Sequence, residues 1–79
     1  MSKLTVYSTT ICQRCRTAKR ALDQKGIPYE EINVEHDPEA AARLKRNGMT
    51  EAPVFGFGGK LHTMAGLPDI IRAFEEEAA

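Results

Sequence analysis

The sequence lacks an excess of charge of either sign: 11 lysines and arginines face 11 aspartates and glutamates. A nucleic-acid surface needs a basic excess to neutralise phosphates, so no nucleic-acid partner is expected. Long apolar runs are also missing. None approaches the roughly 20 residues of a membrane-crossing helix. The N-terminal stretch alternates Leu4, Val6 and Tyr7 with polar residues and does not form the apolar segment of a secretory signal. These absences predict a soluble, cytoplasmic chain with no membrane partner. Its 79 residues leave room for one domain, 1–79, and none for a second domain framing a substrate cleft. Cysteine is scarce as well. Disulfide-stapled secreted mini-proteins usually carry roughly four or more, whereas this chain has two, Cys12 and Cys15. A bridge closing so short a loop removes little unfolded-state entropy. The pair is poorly placed as a staple and well placed as a redox couple.

Local patterns predict alternating strands and helices. Lys3–Ser8 reads as a strand, with Leu4 and Val6 on one face. Cys12–Lys25 reads as a helix whose apolar stripe is Ile11, Cys15, Ala18 and Leu22, ended by Gly26 and Pro28. Tyr29–Val34 is a second strand. Asp37-Pro38-Glu39 is a helix N-cap, first residue and acidic first turn, and that helix runs to about Arg46 before Asn47-Gly48. Pro53–Phe57 and Lys60–Thr63 read as strands joined by a Gly58-Gly59 hairpin turn. Leu67, Ile70, Ile71 and Phe74 mark the buried stripe of a last helix opened by Pro68. Two strands joined through a helix run parallel, and a hairpin adds antiparallel strands. The prediction is an α/β fold, a four-stranded mixed sheet in the order β1-α1-β2-α2-β3-β4-α3 flanked by helices.

On a helix, residues three apart are neighbours at roughly 5–6 Å between Cβ atoms, so the Cys12 and Cys15 sulfurs can bond or separate without large backbone movement. Cys12 falls at the helix start, where free N–H groups and the positive end of the dipole favour thiolate. Its pKa is expected below the free value of about 8.5. Arg14, Arg16 and Lys19 are candidates to add to that effect. Cys15, on the apolar stripe, is expected to be buried and less ionised. Cys12 would then attack a disulfide and Cys15 would resolve the mixed disulfide. A structural or metal role is the alternative at this level: a non-catalytic zinc or iron–sulfur carrier, or a redox sensor. Zinc wants about four ligands, and His36 and His62, the sole histidines, lack finger spacing. No metal and no tightly bound cofactor are expected.

Several stretches together resemble the glutaredoxin-like NrdH-type redoxins of the thioredoxin superfamily. They are Val6-Tyr7-Ser8-Thr9, Cys12-Gln13-Arg14-Cys15 with Thr17–Leu22, Ile32-Asn33-Val34, Asp37–Ala41, Ala52-Pro53-Val54 and Ala65–Asp69. The resemblance implies a thioredoxin fold and a cis Pro53 that turns the Ala52 backbone toward Cys12. There it can pair with an extended substrate as an added strand. It also implies electron donation to class Ib ribonucleotide reductase, re-reduction by thioredoxin reductase with electrons from NADPH, and a monomer. The catalytic candidates are Cys12 and Cys15. The partner-binding candidates are Tyr7, Gln13, Arg14, Glu51, Ala52, Pro53, Met64, Ala65 and Gly66, with Tyr7 also readable as sheet core.

The chain departs from those redoxins where they usually carry Trp-Ser-Gly-Phe-Arg-Pro. It has Thr63-Met64-Ala65-Gly66-Leu67-Pro68 there and no tryptophan. Met64 is the candidate replacement for the aromatic contact, a core or surface methionine being the other reading. A glutathione-linked glutaredoxin is the rival within the same fold. Such proteins tend to show a Cys-Pro-Tyr-Cys centre and a Thr-Val-Pro loop. Here the centre is Cys-Gln-Arg-Cys and the loop Glu51-Ala52-Pro53, and Glu51 would repel an anionic tripeptide. Weak or absent glutathione dependence is expected.

Overall fold

The computed structural model describes residues 3–78, so Met1, Ser2 and Ala79 of the expected domain lie outside the described residues. Strand β1 (Leu4–Ser8) leads into helix α1 (Gln13–Gln24), strand β2 (Glu30–Asn33) and helix α2 (Pro38–Arg46). Strands β3 (Val54–Phe57) and β4 (Lys60–His62) follow, then a short 3₁₀ turn, Met64–Gly66, and helix α3 (Leu67–Ala78). The four strands lie in the order β2-β1-β3-β4. β1 runs parallel to β2 and antiparallel to β3, with Val6 opposite both Glu31 and Phe55. β3 and β4 form the hairpin, and Gly58 and Gly59 turn it with φ of 61° and 77°, a left-handed pair that side-chain-bearing residues resist.

Alternation along β1 splits the interior into two layers. Leu4 and Val6 face one side, where they meet Ala18 and Leu22 of α1, Phe55 of β3, and Leu67 and Ile70 of α3. Phe74 closes this layer against Phe57, with ring centroids 5.2 Å apart. Tyr7 faces the other side and packs with Ala40 and Leu44 of α2 and with Val54. Helix α2 buries Ala40 and Leu44, and α3 buries Leu67 and Ile70 with Ile71 and Phe74 half-buried against them. The caps also form as the residue types dictate: the Asp37 carboxylate accepts from the Ala40 amide at 3.1 Å, and Gly48 takes φ 72° after the Asn47 C-cap.

The strands begin within one residue of expectation, β1 at Leu4, β2 at Glu30 and β3 at Val54, and the shift that matters is at the first helix. α1 begins at Gln13, and Cys12 stands outside it in an extended conformation, φ −149° and ψ 104°. Ile11 therefore falls outside the helical period. The expected stripe keeps Cys15, Ala18 and Leu22 buried, but Ile11 is exposed. The preference for placing an accepting side chain at the N-cap outweighs the apolar spacing here, because the first helical N–H groups need a partner.

Candidate active site

β1 ends at Ser8, and the chain turns through Thr9, Thr10 and Ile11 to reach Cys12. Two acidic side chains set that path. The Ser8 hydroxyl is buried and donates to Glu31 of β2 at 2.8 Å, and the Lys19 ammonium of α1 meets the same carboxylate oxygen at 2.8 Å. This ties the end of β1 and the second turn of α1 to the edge strand. Further on, Glu35 accepts from the Thr10 amide at 2.8 Å, while the Asn33 side-chain amide donates to the Thr10 hydroxyl at 3.2 Å. Asn33 in turn accepts from the Glu35 amide at 2.9 Å. The loop before Cys12 is thus pegged by the residues that follow β2. Hydrogen bonds from Lys19 and then Ser8 hold the Glu31 carboxyl below the ordinary carboxylate range. Those from the Thr10 side chain and then its backbone do the same for Glu35.

At the helix start Cys12 and Cys15 are joined as a disulfide, with Cα atoms 5.2 Å apart. The Cys12 sulfur also accepts a hydrogen bond from the Cys15 amide at 3.0 Å. A sulfur thus fills the capping role usually taken by a Ser or Asp oxygen. The two cysteines differ in access: Cys15 is 1% exposed, whereas Cys12 is partly open. Of the cations expected to help Cys12, Lys19 is committed to Glu31 and Arg14 lies 3.8 Å from Glu51.

The Ala52–Pro53 peptide is cis, as the resemblance implies. Ala52 borders a shallow depression of about 410 Å³ together with Ile11, Cys12, Gln13, Arg14 and Glu51. Arg14, Glu51 and Ala52 also border an adjoining depression of about 400 Å³, which reaches Pro53, Met64 and Ala65. Seven of the nine expected partner-binding residues therefore line one surface beside Cys12. Gly66, next in the chain after Ala65, lines neither depression, and an added Cβ there would stand 3.2 Å from the His62 Cβ. Tyr7 is buried on the α2 side, its hydroxyl 3.5 Å from an Arg43 nitrogen. It touches the region through a small cavity that it shares with Glu51 and Ala52. Met64 is half-buried and packs against the α1–α3 layer while still bordering the depression.

Thr10, Asn33 and Glu35 are the positioning residues that sequence reasoning missed. An Asn two residues before a Glu after a strand is an Asx-turn signal, but nothing local points it at Thr10, 25 residues away from Glu35. Among the described residues, no group of three or more His, Cys, Asp or Glu side chains converges as a metal site. No described helix is long and apolar enough to cross a membrane.

Comparison with known proteins places this geometry. The glutaredoxin family model matches residues 4–62. The glutaredoxin-like protein NrdH of Escherichia coli strain K12 is 36% identical over 69 residues, which cover 87% of this chain and 84% of that protein. A glutaredoxin of Pseudomonas aeruginosa is 34% identical over 76 residues, 95% of this chain and 87% of its own length. Among solved structures, the E. coli NrdH-redoxin superposes with a TM-score of 0.78 at 35% identity, covering 90% of this chain and 92% of that one. That structure was described for its thioredoxin-like activity profile. With its thioredoxin fold and paired cysteines, this chain belongs to the glutaredoxin family as an NrdH-type glutaredoxin-like thiol–disulfide oxidoreductase.

Proposed function

We propose that the chain is a dithiol electron carrier for protein disulfides, with Cys12 as nucleophile and Cys15 as resolving thiol. The observation that carries this reading is the Cys12 sulfur at the helix start. It is open to solvent on one side and accepts the Cys15 amide at 3.0 Å. A hydrogen-bond donor and the positive end of the helix both favour the thiolate once the disulfide is reduced. The Cys12 thiolate attacks one sulfur of a substrate disulfide. A bond forms between Cys12 and that sulfur, and the other substrate sulfur leaves as thiolate and takes up a proton. Cys15 gives up its proton and attacks the Cys12 sulfur. The Cys12–Cys15 bond forms and the second substrate sulfur leaves as a thiol. Two electrons pass from the cysteine pair to the substrate, and no bound cofactor takes part.

By the resemblance to NrdH-type redoxins, the proposed electron acceptor is class Ib ribonucleotide reductase, and the proposed donor that reopens Cys12–Cys15 is thioredoxin reductase fed by NADPH. Membership of the glutaredoxin family leaves a second reading, in which glutathione is the reductant. The match to an NrdH-redoxin described for a thioredoxin-like activity profile weighs against it, whereas Glu51 at the rim adds little net repulsion of an anionic tripeptide because Arg14 lies 3.8 Å from its carboxylate. The test is insulin reduction with NADPH and thioredoxin reductase, set against NADPH, glutathione and glutathione reductase. Turnover is expected with the first system. Turnover only with the second reverses the assignment of the electron donor.

A further inference from the structure

Ile11 is 90% exposed, and among the described residues it is the large hydrophobic side chain left in water. Nothing in the fold requires an isoleucine there. The loop is held by the Thr10 amide and hydroxyl, and the helix is capped by Cys12, so Ile11 contributes neither a peg nor a core contact. A serine at this position would be better solvated.

What Ile11 does have is its place. It borders the same depression as the Cys12 sulfur and the Ala52 edge. The charged groups at that rim, Arg14 and Glu51, lie 3.8 Å apart and offset each other. The depression therefore presents an apolar side chain beside the reacting sulfur and little net charge. Exposed apolar residues at the centre of a contact surface contribute to binding when a partner removes them from water.

We infer that Ile11 is a specificity contact selecting protein disulfides in which an apolar side chain neighbours the attacked cysteine. The inference rests on the redoxin reading above and deepens it. A substrate segment laid along Ala52, with its sulfur at Cys12, places an adjacent Leu, Val or Phe within reach of Ile11. A Ser or Asp in that position gains nothing and loses hydration. The chemistry is unchanged: the Cys12–Cys15 pair gives up two electrons and two protons, and the substrate disulfide becomes two thiols.

The test uses two cyclic peptide disulfides, identical except for Leu or Ser beside one cysteine. Each is mixed with the pre-reduced protein as wild type, Ile11→Val or Ile11→Ser, and its reduction is followed by chromatography. The wild type is expected to reduce the Leu peptide about five- to tenfold faster, the scale set by burying part of one aliphatic side chain. Ile11→Val is expected to keep most of that preference and Ile11→Ser to lose it, with unchanged circular dichroism because the site is exposed. Equal rates on both peptides for the wild type, or an undiminished preference in Ile11→Ser, overturns the contact and leaves the redoxin reading standing. Failure of the wild type to reduce either peptide overturns both.

Discussion

The Cys15 amide donates to the Cys12 sulfur across 3.0 Å, so one bond serves two purposes. It satisfies an N–H at the opening of α1 and sets a donor against the atom proposed to carry the negative charge after reduction. Capping and thiolate stabilisation are usually separate features of a helix. Here they share an atom, and substitutions can separate them.

A serine at position 12 retains an oxygen that can accept the Cys15 amide. Cys12→Ser is therefore expected to keep the stability of the reduced protein while losing disulfide exchange altogether. Cys12→Ala, which lacks an acceptor, is expected to lose exchange and about 0.5–2 kcal/mol of stability as well. Urea melts of the reduced proteins beside insulin-reduction assays check both. Equal stability of the two variants would contradict the capping role.

Cys15→Ser removes the proposed resolving thiol and is expected to leave the attack by Cys12 intact. It is expected to accumulate a mixed disulfide with a substrate peptide on Cys12, visible by mass spectrometry as the summed mass. Release of the reduced peptide without added thiol would contradict the assignment of Cys15.

The Thr10–Glu35 bond pegs the loop that delivers Cys12. Glu35→Ala frees that loop, and exchange is expected to slow several-fold with little change in thermal stability. The acid dependence has a definite sign. The folded Glu35 carboxyl lies below its ordinary range because of the Thr10 side chain and then its backbone. The peg is therefore fully present above the unfolded value of about 4.3 and is lost as pH falls through the lower folded value. Backbone amide exchange at Thr10, followed against pH in wild type and variant, checks this directly.

Glu31 follows the same sign from a different cause. Hydrogen bonds from Lys19 and then Ser8 lower its folded pKa. Its contribution to stability is present above the unfolded carboxylate value and is lost as pH falls through the folded one. Lys19→Met is expected to start acid unfolding at a higher pH. At neutral pH the cost is at most about 1 kcal/mol, because the pair is partly open to water. Urea melts across the acid range measure both effects.

Gly66 closes the turn before α3 against His62, and an added Cβ would stand 3.2 Å from the His62 Cβ. Gly66→Ala is expected to cost about 1–3 kcal/mol by overpacking. At roughly 4–8 °C of Tm per kcal/mol for a domain of this size, thermal melts resolve it readily. An unchanged Tm would mean that the turn shifts freely.

Much of the fold was legible because local signals agree with one another. Asp37-Pro38, Asn47-Gly48 and Gly58-Gly59 each specify a backbone conformation by residue type, and all three form. The parallel β1–β2 pair and the β3–β4 hairpin were legible from a connecting helix and a tight turn, whereas the antiparallel β1–β3 pairing that joins them has no local signal. The cysteine pair was legible from its spacing. Ile11 was misread because apolar spacing alone does not reveal where a helix starts. Its start at Gln13 follows from Cys12 acting as the cap, a role cysteine seldom fills. Thr10, Asn33 and Glu35 were missed because their contacts close a loop over more than 20 residues of sequence. The pairings of Lys19 with Glu31 and of Arg14 with Glu51 are also long-range, so cations that look free in the sequence are engaged in the structure.

The most direct measurement is the ionisation of the Cys12 thiol in reduced Cys15→Ser protein, followed by thiolate absorbance alongside its rate of attack on a peptide disulfide. Because this variant keeps the position 15 amide, the thiol is expected to ionise well below the free value of about 8.5, with attack tracking the thiolate fraction. A Cys12 that titrates like free cysteine, or attack that does not follow its ionisation, would contradict the role given to the helix start.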